Sequence, residues 1–97
     1  MIVNLNKKHI KDFTSEDTLY IRKIINGFDY NYLCQFISYK KGVVTAKILE
    51  LDEARGQHPW QYKNKIITAR PSKCFLWGKN ANDKWTYCYW FKDGIAQ

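Results

Sequence analysis

The densest pattern of apolar positions lies in the last third of the chain. Lys73-Cys74-Phe75-Leu76-Trp77-Gly78, a polar stretch Lys79–Lys84 and Trp85-Thr86-Tyr87-Cys88-Tyr89-Trp90-Phe91-Lys92 read as one aromatic hairpin. With its loop centred on Ala81, Trp77 faces Trp85, Phe75 faces Tyr87 and Cys74 faces Cys88. Cross-strand aromatic pairs stabilise a sheet directly, so this segment predicts antiparallel structure and a register.

A second hairpin is predicted from Tyr30–Tyr39 and Val43–Leu51. Lys40-Lys41-Gly42 reads as a three-residue loop, with Gly42 in the left-handed position that makes a bulge. That loop pairs Ser38 with Val44, Phe36 with Ala46 and Cys34 with Ile48, which leaves one face apolar and puts Gln35, Thr45 and Lys47 on the other. Upstream, Thr14-Ser15-Glu16-Asp17 carries a helix-start signal: a capping hydroxyl followed three residues on by an acid. Tyr20, Ile21, Ile24, Ile25 and Phe28 follow at helical spacing, and Gly27 suits the left-handed stop. A helix over Glu16–Asn26 is therefore expected. Its rival is a strand over Leu19–Ile25, favoured by β-branched content; the caps at both ends decide for the helix.

Shorter features complete the outline. Met1–Leu5 alternates as a short strand, Lys65–Arg70 as another, and Pro71-Ser72 turns the chain before the aromatic hairpin. Asp52–Asn64 is the longest irregular stretch, broken by Gly56 and Pro59. Asp93–Gln97 reads as a tail. The expected class is α+β and mostly antiparallel β: a small twisted sheet or partly open barrel of about five strands with one N-terminal helix. Its 97 residues are expected to form a single domain, 1–97, large enough for one modest core.

Composition narrows the class. Hydrophobic residues make up 45% and charged residues 26%, which excludes a disordered chain. No apolar run approaches the roughly 20 residues that cross a bilayer, and Met1–Lys8 shows no leader pattern. A cytoplasmic location without membrane contact is the expectation. Net charge is +7, which favours polyanionic partners, chiefly nucleic acid. The charge comes from thirteen Lys and only three Arg. Coding composition rich in A and T accounts for part of that lysine excess, and Arg is the better reader of bases and phosphates.

Candidate chemistry is sparse. His9 and His58 are the two histidines and neither sits at a catalytic spacing; Asp52 and Glu53 are adjacent and point to opposite sides of an extended chain. Cys34, Cys74 and Cys88 form an odd set without a C-x-x-C pair. That pattern argues against a disulfide framework and against zinc held by Cys74, Cys88 and His58. The expectation is a non-enzymatic binding protein without a cofactor.

The binding candidates lie on the sheet and in the long loop. If strands pair in chain order, Thr45, Lys47, Thr68, Arg70, Lys73, Phe75 and Trp77 share one phase of the alternation. Lys47, Arg70 and Lys73 then offer a cationic stripe for phosphates, with Trp77 a ring for a base, a combination that single-strand binders use. Arg55, His58 and Trp60 in the Asp52–Asn64 loop are further candidate contacts. The expected function is binding of nucleic acid, DNA or RNA. The alternative is a phage or mobile-element accessory protein that docks on a host protein or nucleoprotein complex and inhibits it, as anti-CRISPR proteins do, through the same aromatics.

Overall fold

The computed structural model describes residues 9–54, 58, 61–79 and 85–97. Among them, seven strands form one antiparallel sheet: β1 (Thr18–Ile25), β2 (Phe28–Lys40), β3 (Val43–Ala54), β4 (Ile66–Ala69), β5 (Cys74–Lys79), β6 (Trp85–Lys92) and β7 (Ile95–Ala96). Their spatial order is β4-β3-β2-β1-β5-β6-β7, so every consecutive pair is adjacent except β4 and β5. The antiparallel sheet is as expected. The strand count is seven rather than about five, and the tail contains β7. The strand expected at Met1–Leu5 lies outside the described residues.

The helix expected at Glu16–Asn26 is strand β1. Its capping contacts do form: the Thr14 amide donates to Asp17 Oδ2 at 2.7 Å and the Glu16 amide to Thr14 Oγ1 at 3.3 Å. They close a turn, in which the Asp17 amide also donates to the Thr14 carbonyl at 3.0 Å, and the chain then extends. Period two outweighs period 3.6 here: Leu19 and Ile21 are buried, while Thr18, Tyr20 and Arg22 face the other way. Ile21, Ile24 and Ile25 add β-branched bulk, and pairing with β2 runs over all eight residues of β1.

Gly27 is left-handed, as expected, but as part of a hairpin. Asn26 and Gly27 have φ of 54° and 83°, Lys41 and Gly42 of 52° and 74°, Asp93 and Gly94 of 54° and 86°. Two successive positive φ values are the mark of the type I′ turn that matches strand twist. The β2–β3 loop is thus two residues, not three. These sites yield a graded prediction. A Cβ on Gly27 meets nothing within 4 Å, whereas one on Gly94 falls on Cε1 of His9 and 2.8 Å from its Nε2. Gly27→Ala is expected to cost about 1–2 kcal/mol from backbone strain alone. Gly94→Ala adds a clash on top of that strain, and urea denaturation of the two variants should rank it the costlier; equal losses would contradict the His9 contact.

Three extra residues shape the sheet. Phe36 pairs Ala46 and Cys34 pairs Ile48 as expected, but Ser38 pairs Thr45, not Val44. Ile37 on β2, and Leu49 and Asp52 on β3, are the unpaired residues at the register shifts. Each bulge returns the apolar residues to the same face and bends the strand. The four residues Arg70–Lys73 demand such bending. A flat sheet would hold β4 and β5 four spacings apart, about 19 Å. Five Cα steps reach at most about 18 Å when fully extended, and Pro71–Lys73 is coiled into a 3-10 turn. The sheet therefore curls, and Lys23 Nζ on β1 reaches the Thr68 carbonyl on β4 at 2.5 Å.

The core fills the concave side. Leu19, Ile21, Tyr30, Tyr32, Cys34, Phe36, Val44, Ala46, Ile48 and Cys74 are buried there. Phe13, following the 3-10 turn Ile10–Asp12, lies edge-on to Phe36 at 5.5 Å and to Phe91 at 5.8 Å, bridging β2 and β6. No helix among the described residues is long and apolar enough to cross a membrane.

The aromatic hairpin exists with a different register. Phe75 pairs Trp90, Leu76 pairs Tyr89 and Trp77 pairs Cys88. The sheet continues to Lys79 and restarts at Trp85, so the connection is shorter than expected and the pairing slips by three residues. An odd slip exchanges the faces of the second strand. Phe91 therefore joins the concave core, and Cys88 and Trp90 join Phe75 and Trp77 on the outer face. Cys74 is buried on the concave side and Cys88 is exposed on the outer one, so they are not opposite each other; all three thiols are free.

Candidate functional site

The alternation of β1, β5 and β6 builds a second aromatic cluster on the convex face, away from the main core. Tyr20 pairs Phe75 across the β1–β5 seam, and Phe75 pairs Trp90 across β5–β6. Tyr20 and Phe75 stack at 5.1 Å and 16°. Trp77 stands edge-on to both, 6.1 Å from Tyr20 and 5.8 Å from Phe75, and Trp90 tilts over Phe75 at 4.7 Å. Phe75 is only 3% exposed, sheltered among these three rings, while Trp90 keeps 38% of its surface open. Tyr20 and Trp77 are half-buried. Such ring pairs add about 0.5–1.5 kcal/mol each beyond area burial.

Charge is divided around these rings. Ile21 pairs Cys74, which sets Lys73 beside Arg22 at the end of the seam. Arg22, Lys23, Ile24 and Lys73 line a cleft of about 250 Å³ there. Asp29 fixes the Arg22 guanidinium through Nε at 2.9 and 3.0 Å and Nη2 at 2.8 Å, and this bonding raises the guanidinium pKa further. On the β3 side, Glu50 pairs Leu33, the neighbour of Tyr20. Burial and then the nearby charge of Asp52 raise the Tyr20 phenol above its ordinary value. The cluster thus has cations at one end and carboxylates on one flank.

Of the residues singled out from sequence, three share this outer face or its rim: Lys47, Lys73 and Trp77. Lys47 pairs Gln35, which pairs Thr18. Continuing the β1–β5 register by two residues sets Thr18 opposite Trp77, so Lys47 and Trp77 lie in one row about 14 Å apart. Arg70 is elsewhere. It precedes the 3-10 turn and lines a cleft with Tyr39, Gly42, Pro71, Ser72 and Asp93, where two hairpin tips converge. The stripe assumed β4 beside β5, and β1 intervenes. Arg55 and Trp60 lie outside the described residues.

His58 is on the concave side. Its Nε2 is 2.6 Å from the Tyr32 hydroxyl, and its ring contacts Tyr30 at 4.8 Å, Tyr32 at 5.7 Å and Tyr62 at 4.7 Å. Burial, followed by the neighbouring Tyr30, pushes the Tyr32 phenol up to about 12. His58, Gln61, Tyr62 and Lys63 border an open cleft of about 450 Å³. This arrangement is a hydrogen-bonded ring packing, separate from the outer cluster. Among the described residues no three His, Cys, Asp or Glu side chains gather where they would hold a metal ion.

Sequence reasoning missed Tyr20, Arg22 and Trp90. The first two fall within the expected helix, and the expected pairing of Phe75 with Tyr87 puts Trp90 on the opposite face. The signal for the first two was Asn26-Gly27, the strongest short hairpin marker, which identifies β1 as a strand and makes Tyr20 and Arg22 neighbours on one face. Searches for likeness to known proteins return no matching family model, no curated protein and no solved structure.

Proposed function

We propose that this protein binds nucleic acid on the convex face of its sheet. The observation that carries the reading is the outer cluster itself: Tyr20, Trp77 and Trp90 are partly open on a face that the core does not use, with Arg22 and Lys73 at one end. Aromatic rings beside cations suit bases and phosphates together. The net charge of +7 supports the same partner. Lys73 and Lys47 act on phosphates, and Trp77 and Trp90 on bases.

The test is a salt titration of oligonucleotide binding. Wild-type affinity should fall linearly on a log–log plot. Lys73→Ala should make that line shallower by about one unit. Trp77→Ala should lose about 1–3 kcal/mol with the slope preserved. Absence of binding at low salt would overturn the reading. Inhibition of a host protein is the second reading, favoured by Ile24 at 60% and Ile66 at 56% exposure and by the Glu50–Asp52 flank. A mainly apolar protein interface would show little salt dependence.

A further inference from the structure

Building on the nucleic-acid reading, we propose that the convex face takes a single strand rather than a duplex, with a backbone phosphate in the cleft between Arg22 and Lys73 and the adjoining bases on Trp90 and Trp77. The two parts of the site differ in what they recognise. The cleft offers charge, which any nucleic acid satisfies. The rings offer flat faces, which only an unstacked base satisfies, because a duplex shows its bases edge-on. A face built from four rings, three of them partly open, has no use for base pairs.

The cleft is prepared for an anion. An ammonium carries three donors and a guanidinium five. Arg22 gives Asp29 its Nε and Nη2 contacts, so its head is positioned with donors to spare. A positioned head loses little freedom when an anion arrives. Lys73 is exposed and supplies the second cation of the cleft.

The order of residues on β5 sets the path. Lys73 precedes Phe75 by two positions and Trp77 by four, so cleft and farther ring are about 13 Å apart along the strand. Trp90 sits beside Phe75, between them. A strand entering at the cleft therefore passes Trp90 and then Trp77. Glu50 and Asp52 repel phosphate on the β3 side of Tyr20 and keep the backbone over β5 and β6.

Fluorescence anisotropy decides the matter with two labelled probes at one salt concentration, a thymidine oligomer of about 12 nucleotides and a hairpin duplex of matched charge. The variants are Lys73→Ala, Trp90→Ala and, as a cation off the face, Arg70→Ala. Both substituted face residues are exposed, so circular dichroism should report an unchanged fold. The single strand should bind at least tenfold tighter than the duplex. Trp90→Ala should lose roughly tenfold or more for the single strand and little for the duplex. Lys73→Ala should weaken the single strand several-fold more than Arg70→Ala does. Equal binding of both probes, with Lys73→Ala and Arg70→Ala alike, overturns the single-strand site and leaves general nucleic-acid binding in place. Loss of both probes in the wild type overturns the parent reading as well.

Discussion

Phe91→Ala is expected to destabilise the protein by about 3–5 kcal/mol, the usual cost of truncating a buried phenylalanine. Phe91 is 2% exposed and meets Phe13 edge-on at 5.8 Å, and Phe13 in turn meets Phe36. The three rings cross the concave side from β6 to β2 by way of the N-terminal segment. Removing the first leaves Phe13 packed on one side only, so the cavity cannot close by a small movement of one strand. A domain of this size has about 5–15 kcal/mol in all, and the loss corresponds to a fall in Tm on the order of 20 °C. Trp90→Ala, on the neighbouring residue and the opposite face, should cost much less. Thermal melts of the two variants check the assignment of faces, and a larger loss for Trp90→Ala would reverse it.

Stability should also fall steeply in alkali, with two thiols as the main cause. Burial is the first reason that Cys34 and Cys74 stand near 12 in place of 9.0; Cys74 adds to the rise at Cys34, and Lys23 opposes it at both. Each thiol stays neutral in the fold and ionises near 9.0 in the unfolded chain. Stability is complete below that value, declines as pH rises past it, and is lost through the folded values near 12. One unit of separation is worth about 1.4 kcal/mol, so at pH 10.5 the two thiols together account for on the order of 4 kcal/mol. Tyr32 adds to the loss above 10.0 in the same direction. Urea denaturation between pH 7.5 and 10.5 should show this slope in the wild type. Cys74→Ala should flatten it by close to half, whatever its own effect at neutral pH. A Cys74→Ala line parallel to the wild type would mean that this thiol ionises as freely in the fold as outside it.

Much of the sheet is readable from local chemistry, and the errors arise where two local signals compete. Phe36–Ala46 and Cys34–Ile48 follow from alternation near a glycine turn. Ser38 goes astray because the turn has two residues instead of three, and the bulge at Ile37, which carries no compositional mark, restores the expected pairing beyond it. The Thr14–Asp17 motif makes the hydrogen bonds of a helix start, yet the chain beyond it is a strand; the cap contacts are compatible with both outcomes, whereas Asn26-Gly27 is compatible with a hairpin. The site was half legible for a related reason. Lys47, Lys73 and Trp77 were found from alternation within their own strands. Arg70 was misplaced because strand order is a non-local property: nothing in Ile66–Lys73 announces that β1 stands between β4 and β5. Tyr20 and Arg22 became visible once β1 was a strand, and Trp90 once the register was known.

The seam between β1 and β5 consists of two residue pairs, Tyr20 with Phe75 and Ile21 with Cys74. On one side of it stand four strands that pair in chain order, and on the other three. Fifty-five positions separate Tyr20 from Phe75, so this junction closes the longest loop between two paired strands and forms late, after the hairpins. In the native protein the same junction is the natural line of sub-global opening, and amides along β5–β7 should exchange with solvent together, ahead of those shared by β2 and β3. The outer rings straddle that line, with Tyr20 on one half and Phe75, Trp77 and Trp90 on the other. A ligand lying across them acts as a clasp: occupancy and cohesion of the two halves become one equilibrium, and whatever fills the face also slows its opening.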